Sequence, residues 1–235
     1  MSSRCRILAG FGISADRLPV IETRRLILRA PRLADADAIA ESLGDFAVAR
    51  MLARVPSPYF REDAVDWLTT LDEGIRAGGF AFAVTRDDVL IGAVGFDIRG
   101  GAVYFHYWLG RAYWRRGLMG EATSAVLDWY FQAAPNGVLR SGVFTDNPAS
   151  LALQRKLGFV ETGLSEIFCV ARNCSQRHVK TMLDAARFRR SRTAVFAGAD
   201  RGNVLTFKAG DCIDAALERG GRRTLFVPAE TGCSP

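Results

Sequence analysis

Apolar and polar residues alternate or recur at regular spacing through the first third of the chain. Residues 25–29 (RLILR) alternate and predict a strand. Residues 35–43 and 61–75 carry apolar side chains at helical spacing, so each predicts a helix with one buried face. Gly44 directly follows the first of these helices, at a position where a helix-ending glycine is favoured. A strand followed by two helices is therefore expected here.

Three β-rich segments follow in close succession. They cover residues 80–85, 89–98 and 102–109, and the short segments 86–88 and 99–101 separate them. Aspartate and glycine at these two bends are the residues that tight reversals favour. The middle of the chain therefore predicts an antiparallel meander.

The apolar spacing then changes to a helical period that starts at Gly120. Residues 138–144 predict a further strand. Asn147-Pro148 opens another helix, which stops at Gly158, because asparagine caps helices and proline favours the first helical position.

Two last β-rich segments, residues 160–170 and 176–182, predict a closing hairpin. The complete order is β-α-α-β-β-β-α-β-α-β-β, which predicts a mixed sheet covered by helices. We expect one domain over residues 20–190, a flexible extension over residues 1–19, and a tail or small appendage over residues 191–235.

Composition narrows the class of protein. The 235 residues carry a net charge of +6, and no apolar run approaches the roughly 20 residues that span a bilayer. The basic side chains are mostly arginine and are dispersed, so a phosphorylated small molecule fits better as a partner than nucleic acid. The five cysteines include no CxxC pair, which indicates free thiols in a reducing cytoplasm rather than a metal site.

The strongest chemical signal lies between Tyr107 and Ala122 (YWLGRAYWRRGLMGEA). A strand ends near Leu109, a loop rich in arginine and glycine follows, and a long helix begins near Met119. Unpaired N–H groups and the helix dipole attract an anion to such a junction, and Gly117 lets the backbone approach it closely. The junction is therefore a candidate pyrophosphate cradle, and an ordinary strand–loop–helix connection is the alternative. No P-loop or GxGxxG motif is present.

Three segments, in order, resemble the RimJ/RimL-type enzymes of the GNAT acetyltransferase superfamily. Residues 113–122 (YWRRGLMGEA) are similar to the acetyl-CoA loop YWxxG[YL][AM]TEA, with Gly120 in place of the usual threonine. Residues 21–29 (IETRRLILR) resemble the opening LETERLxLR. Residues 144–159 (FTDNPASLALQRKLGF) resemble NxxSxxxxxKxGF with the same spacing. The resemblance covers most of residues 21–183.

This resemblance implies a GNAT-type acyl-CoA N-acyltransferase fold of the α+β class, with a mixed, mostly antiparallel sheet of six to seven strands and about four helices. It also implies a V-shaped opening between the fourth and fifth predicted strands, where the pantetheine arm of acetyl-CoA pairs with the fourth strand. Asn147 would contact the pantetheine or orient the loop, or act only as a helix cap. The implied cofactor-binding residues are Leu109, Arg115, Arg116, Gly117, Leu118, Met119, Gly120 and Asn147.

Acetyl transfer also requires groups that move protons. Related enzymes often place a basic glutamate on the fourth strand, at a position that is Tyr104 here. His106 on the same strand face, Asp97 on the adjacent strand, and a chain of water molecules are the alternatives. The acidic tyrosine of many relatives is replaced by Gln154. Ser150, which aligns with a serine proposed as the acid in RimJ/RimL-like enzymes, is either the acid or a local backbone cap.

The sequence thus predicts a cytoplasmic N-acetyltransferase that uses acetyl-CoA as co-substrate and acts on a primary amine, either a protein N-terminus or a small molecule, in a ternary complex. The alternative is a catalytically silent acyl-CoA sensor. We expect no metal, no nucleic-acid or membrane partner, and a monomer or homodimer. Residues 44–75 are expected to wall the acceptor site, where Glu62, Asp63 and Asp66 either attract a cation or solvate a helix.

Overall fold

A computed structural model describes residues 18–76, 79–196 and 206–208. Within these ranges one sheet of nine strands has the order β7-β8-β6-β5-β4-β3-β2-β1-β9. The strands are β1 (Val20–Glu22), β2 (Ile27–Arg29), β3 (Phe80–Arg86), β4 (Val89–Arg99), β5 (Ala102–Leu109), β6 (Val138–Phe144), β7 (Val160–Cys169), β8 (Cys174–Asp184) and β9 (Thr206–Lys208). Neighbouring strands are antiparallel, except that β5 and β6 are parallel.

Six α-helices accompany the sheet in the described ranges. They are α1 (Ala36–Gly44), α2 (Phe46–Ala49), α3 (Arg61–Arg76), α4 (Leu118–Ala133), α5 (Pro148–Leu157) and α6 (Ala185–Phe196), with short 3-10 turns at Leu33–Asp35 and Arg111–Tyr113. The mixed, mostly antiparallel α+β architecture is confirmed. Its numbers of strands and helices exceed the six to seven strands and about four helices expected.

The additional elements arise where the chain makes contacts that local patterning does not reveal. The strand expected at residues 25–29 is confined to β2 (Ile27–Arg29), because Arg25 leaves the sheet to contact α4, and β1 precedes it as a strand that was not expected. Gly44 is the last residue of α1 rather than the residue that ends it. Asp45 breaks the helix instead, since its carboxylate accepts a hydrogen bond from Ala47 N at 2.8 Å and so caps α2.

The two reversals of the meander have the expected positions. Asp87 and Asp88 connect β3 to β4 with φ angles of 51° and 62°, and Gly100 and Gly101 connect β4 to β5 with φ angles of 56° and 79°. Two consecutive positive φ values match the right-handed twist of paired strands. β3, β4 and β5 therefore form a continuous meander.

The sheet separates two apolar cores. On one face, Val103, Phe105 and Leu109 of β5 pack in a core that includes buried residues of α4, α5 and α6. On the other face, Trp108 of β5 packs with α1, α2 and α3. The alternation of β5 therefore directs Tyr104 and His106 to the face of α1 and α3.

The structure describes only part of the two segments expected outside the domain. The expected extension, residues 1–19, lies outside the described residues apart from its last two. Helix α6 continues past residue 190 and buries Phe188 in the core, and β9 pairs with β1. Part of the segment 191–235 thus has secondary structure, and the domain limits themselves stay a prediction.

Candidate active site

The sheet opens between β5 and β6. These parallel strands pair only at Val103 with Leu139 and at Tyr104 with Arg140. Beyond this point Ser141 Oγ donates a hydrogen bond to Phe105 O at 2.8 Å, and the strands diverge. A continuous cleft of about 2190 Å³ includes the opening and is lined by both strands. This is the V-shaped opening that the resemblance implies.

Main-chain groups of β5 face into this opening. Phe105 O accepts from Ser141 Oγ, and Leu109 O accepts from Trp114 Nε1 at 2.7 Å, so both carbonyl groups point away from β4. Because strand residues alternate, the N–H and C=O groups of Tyr107 point the same way. The exposed edge can therefore receive an extended ligand as an additional strand and offers N–H donors to a developing oxyanion.

The opening ends at the N-terminus of α4. Gly117, with a φ of 71°, is the N-cap residue, and no side chain caps the helix. Its left-handed conformation favours glycine, and it aims the N–H groups of the first turn into the junction. Arg115 also has a positive φ, 59°, and lines the cleft, whereas Arg116 is not among the lining residues.

A clamp that sequence reasoning missed holds this loop in place. Glu121, in the first turn of α4, accepts hydrogen bonds from Thr23 Oγ1 at 2.6 Å, Arg25 N at 2.8 Å and Arg25 Nε at 2.7 Å. Arg25 Nη1 also donates to Arg116 O at 2.9 Å. Burial raises the pKa of Glu121, but these donors outweigh burial and lower the pKa overall. Thr23 and Arg25 belong to the segment 21–29, and Glu121 belongs to the segment 113–122. Two of the three segments that carry the family resemblance are therefore in direct contact.

The predicted acid Ser150 lies beside a tyrosine that sequence reasoning did not consider. Tyr107 Oη and Ser150 Oγ are 2.8 Å apart, and Asn147 Oδ1 accepts from Ser150 N at 3.1 Å. Asn147 thus caps α5, which realises the simpler of its two expected roles. Burial raises the pKa of Tyr107 to about 12, although hydrogen bonds with Ser150 and Gln154 oppose the shift. Tyr107 therefore remains a protonated phenol at neutral pH.

Gln154 connects α5 to two strands on one side of the opening. Its Nε2 donates to Ser141 Oγ at 2.8 Å, and its Oε1 accepts from Thr181 Oγ1 at 2.6 Å. The side chain is buried, so these bonds satisfy an amide that would otherwise be costly to bury. Gln154 therefore fixes α5 against β6 and β8 rather than supplying a proton.

The predicted bases His106 and Asp97 are brought together. His106 Nε2 lies 3.5 Å from Asp97 Oδ1, and Arg54 Nη2 lies 2.6 Å from Asp97 Oδ2. Burial raises the pKa of Asp97, but its contacts with His106, Arg99 and Arg54 outweigh this and hold the pKa well below its ordinary value. An already ionised carboxylate with a low pKa is a weak proton acceptor. Asp97 is therefore better suited to orienting His106 than to acting as the base.

A strap, defined as residues 169–173 at the tip of the β7–β8 hairpin, reaches the loop after α2. Val170 N donates to Ala53 O at 3.0 Å, and Arg172 Nε donates to Arg50 O at 2.7 Å. Arg172 also pairs with Asp146 at the end of β6, with an Nη1–Oδ2 distance of 2.8 Å. The strap therefore joins the loop after α2 to β6, and the sequence carries no local signal for it.

A family profile described as "Acetyltransferase (GNAT) domain" matches residues 25–160, more than half of the chain. The chain belongs to the GNAT acetyltransferase family. Uncharacterized N-acetyltransferase p20 of Bacillus licheniformis is 28% identical over 152 residues, which cover 63% of this chain and 85% of that protein.

Solved structures support the GNAT fold. Mycobacterium smegmatis RimJ in complex with CoA-disulfide matches with a TM-score of 0.64 at 18% identity and covers 77% of this chain and 97% of that one. RimL, a ribosomal L7/L12 alpha-N-protein acetyltransferase in complex with coenzyme A, matches with a TM-score of 0.60 at 19% identity and covers 71% and 99%. The resemblance to RimJ/RimL-type enzymes is thereby confirmed at the level of family and fold.

In this GNAT chain, nearly all of the predicted site residues border one cleft. The predicted residues that line the cleft are Leu109, Arg115, Gly117, Leu118, Met119, Gly120, Asn147, Ser150, His106 and Asp97. Arg116 is the exception and does not line the cleft; its carbonyl oxygen accepts a hydrogen bond from Arg25. The roles of all these residues stay predictions.

The three acidic residues in the first half of α3 differ in their position relative to the cleft. Asp63 and Asp66 line the cleft, whereas Glu62 does not. Asp63 Oδ2 accepts from Phe60 N at 2.7 Å and thereby caps the start of α3. Burial, followed by the charges of Asp63 and Asp66, raises the pKa of Tyr59 to about 12. These two carboxylates thus place negative charge beside Tyr59 on the α3 side of the cleft.

The part of the GNAT chain described here contains no group of three or more histidine, cysteine or acidic side chains arranged to hold a metal ion. No helix in the same ranges is long and apolar enough to cross a bilayer.

Proposed function

We propose that this GNAT chain transfers the acetyl group of acetyl-CoA to a primary amine by direct attack in a ternary complex. The observation that carries this proposal is the opening between β5 and β6, which ends at the uncapped N-terminus of α4. An acyl-CoA needs both features, because its pantetheine arm is extended and its pyrophosphate is anionic. The amide groups of the arm would pair with Tyr107 and Leu109, and the pyrophosphate would bind the N–H groups of residues 117–120.

The reaction needs a neutral amine, because only an unprotonated nitrogen attacks the thioester carbon. The C–N bond then forms, the carbonyl oxygen becomes an oxyanion, and main-chain N–H groups of β5 stabilise it. Collapse of the intermediate breaks the C–S bond and leaves a thiolate. Ser150, hydrogen-bonded to the protonated Tyr107, would donate a proton to that thiolate, and the second proton that the nitrogen releases after attack would restore the serine hydroxyl through water.

His106 is our choice for the base that deprotonates the incoming ammonium. It lines the cleft on the face of α1 and α3, and Asp97 fixes its ring from the adjacent strand. The carboxylates of Asp97, Asp63 and Asp66 would also attract a cationic amine to this side of the cleft.

The first acceptors to test are protein N-termini. RimL is named for acetylating the α-amine of a ribosomal protein, and the overall match to this fold motivates the same class here. Small-molecule amines are the second class. A panel of N-terminal peptides and alkylamines, assayed for release of the CoA thiol, tests both.

A silent acyl-CoA sensor is the competing function, and Tyr104 favours it by standing where a basic glutamate is often found. The two functions make different predictions in the panel. An enzyme releases thiol only when a suitable amine is present, whereas a sensor binds acetyl-CoA with no amine-dependent release. Absence of acetyl-CoA binding at millimolar ligand would reject both.

Ser150→Ala tests the assigned acid. Because general acids contribute about 100-fold or more to rate, and Tyr107 remains nearby, we expect kcat to fall about 10- to 100-fold. The Kd for acetyl-CoA should not change. Thr69→Ala, which removes an exposed hydroxyl from α3, is the control and should behave as wild type. Unchanged turnover in Ser150→Ala would remove Ser150 from the mechanism.

A further inference from the structure

A cluster of charged side chains surrounds the carboxylate of Asp97 in the cleft. His106 Nε2 lies 3.5 Å from Asp97 Oδ1, and Arg54 Nη2 donates to Asp97 Oδ2 at 2.6 Å. Arg99 Nη2 donates to the same oxygen, Oδ2. All four residues line the cleft, and we call them the Asp97 cluster. Two guanidinium groups therefore converge on one oxygen, beside the proposed base.

The pairing of β4 with β5 builds most of this cluster. Asp97 and Arg99 are two residues apart on β4, so their side chains share a face. A Cβ atom at Gly95 would fall 2.5 Å from His106 Cε1, so the imidazole occupies the space of a side chain at position 95 and reaches across to Asp97. The Arg99 guanidinium carbon lies 5.3 Å from the centre of the Tyr104 ring, which supports it by a cation–π contact.

The Asp97 cluster has one positive charge more than negative charge when His106 is neutral. Asp97, ionised at its low pKa, is the one ion-pair partner of Arg54 and of Arg99 within the described residues, although Asp63 and Asp66 also line the cleft. The two arginine side chains are 68% and 51% exposed, so their other N–H groups are open to a ligand. One unmatched positive charge suits a carboxylate better than a phosphate, which carries up to two negative charges.

The ligand that can use both ends of this cluster has to be small. Because His106 and the two arginines contact the two oxygens of a single carboxylate, the imidazole and the guanidinium groups are separated by no more than that carboxylate and its contacts. One molecule reaches both only if its amine and its anionic group are close together. An amine and a carboxylate attached to the same carbon atom meet this condition.

On the basis of the proposed function, we propose that the acceptor is a free α-amino acid, whose ammonium group gives a proton to His106 and whose carboxylate binds Arg54 and Arg99. The α-nitrogen forms the C–N bond as the C–S bond breaks. The products are an N-acetyl amino acid, the CoA thiol and one proton released to solvent. A peptide N-terminus has a neutral amide where the amino acid has its carboxylate, so the cluster selects against peptides.

Removing the carboxylate from the substrate is the direct test. Free L-amino acids join the panel, and the one of fastest turnover is compared with its own carboxamide, using the full chain at saturating acetyl-CoA. We expect kcat/KM for the carboxamide to be about 10- to 100-fold lower, because hydrogen bonds to a charged group are stronger than neutral ones. Amidation by itself lowers the pKa of the amine and favours its neutral form, so it cannot cause this loss.

Arg54→Met tests which protein group recognises the carboxylate. The KM for the amino acid should rise about tenfold or more, whereas the KM for the carboxamide and the Kd for acetyl-CoA should match wild type. Arg54→Lys should recover part of the loss, because lysine keeps the charge but not the fork of donors. Arg61→Met is the matched control and should behave as wild type with both substrates, since Arg61 pairs with Asp37 on the surface and does not line the cleft.

Three outcomes would overturn the proposal and leave the proposed function intact. They are thiol release with peptides or alkylamines but with no amino acid, equal kcat/KM for the amino acid and its carboxamide, and an equal loss with both substrates in Arg54→Met. The last result would mean that Arg54 acts only by holding Asp97 in place. A wild-type chain that releases no thiol with any amine would reject the proposed function and this inference with it.

Discussion

The cofactor half of the cleft and its acceptor half are held together by different means. In the cofactor half, the conformation of Gly117 and the clamp of Thr23 and Arg25 on Glu121 set the loop before α4. In the acceptor half, Arg172 of the strap reaches Arg50, 122 positions away in sequence. Both halves thus use contacts between remote segments, but those of the cofactor half join residues of two recognisable motifs, whereas those of the acceptor half join segments that carry no motif. We therefore expect the acceptor half to vary without disturbing cofactor binding.

The largest expected effect on stability comes from Arg172→Met, which removes the side-chain contacts of the strap. Arg172 is only 10% exposed, and its loss leaves Asp146, which is 42% exposed, without this partner. Because one side of the pair reaches solvent, we expect a loss of about 2 kcal/mol in the free energy of unfolding. Urea unfolding measures it. Acetyl-CoA affinity should not change, and a comparable loss of affinity would contradict the independence of the two halves.

Arg155→Met is the matched control for this variant. Arg155 pairs with Glu161 on the surface, where the side chains are 62% and 43% exposed. Surface pairs of this kind contribute about 1 kcal/mol or less. Equal losses in the two variants would show that the strap is an ordinary surface contact.

Gly117→Val challenges the cofactor half. A β-branched residue at a φ of 71° is strained, and relief of about 1–2 kcal/mol of strain would turn the N–H groups away from the junction. We expect the Kd for acetyl-CoA to rise about tenfold. Gly101→Val carries a similar strain, at a φ of 79° in the β4–β5 turn. It should reduce stability but leave the Kd as in wild type.

The smallest effect is expected from Glu121→Gln, which keeps the shape of the clamp and removes its charge. At pH 7 we expect a loss of about 1 kcal/mol in unfolding free energy. The lowered pKa of Glu121 means that its stabilisation is present above its ordinary value of 4.5 and is lost as the pH falls through the folded-state value. The difference from wild type should therefore shrink below pH 4.5. Exposed Glu41→Gln should show no such difference at either pH.

Sequence reasoning succeeded where local signals suffice. The strand Ala102–Leu109 and the helix Pro148–Leu157 have the predicted bounds, because turn glycines and an Asn-Pro cap mark them directly. The loop before α4 is also where its motif placed it. These features depend on neighbours in sequence, which a single chain reveals.

The features that sequence reasoning missed depend on distant partners. The first expected strand begins only at Ile27, because Arg25 binds Glu121, 96 positions later. The phenol beside Ser150 comes from Tyr107 on another element, 43 positions earlier.

The early end of the pairing between β5 and β6 makes the stability of the fold depend on the concentration of bound co-substrate, under the proposed function. A ladder that stops after Tyr104 and Arg140 is completed, under the proposed function, by the amides of the bound thioester. Because such a ligand binds only the folded chain, a hundredfold excess over Kd would add about 2.7 kcal/mol of stability. The lifetime of the protein would then rise and fall with the supply of its own co-substrate.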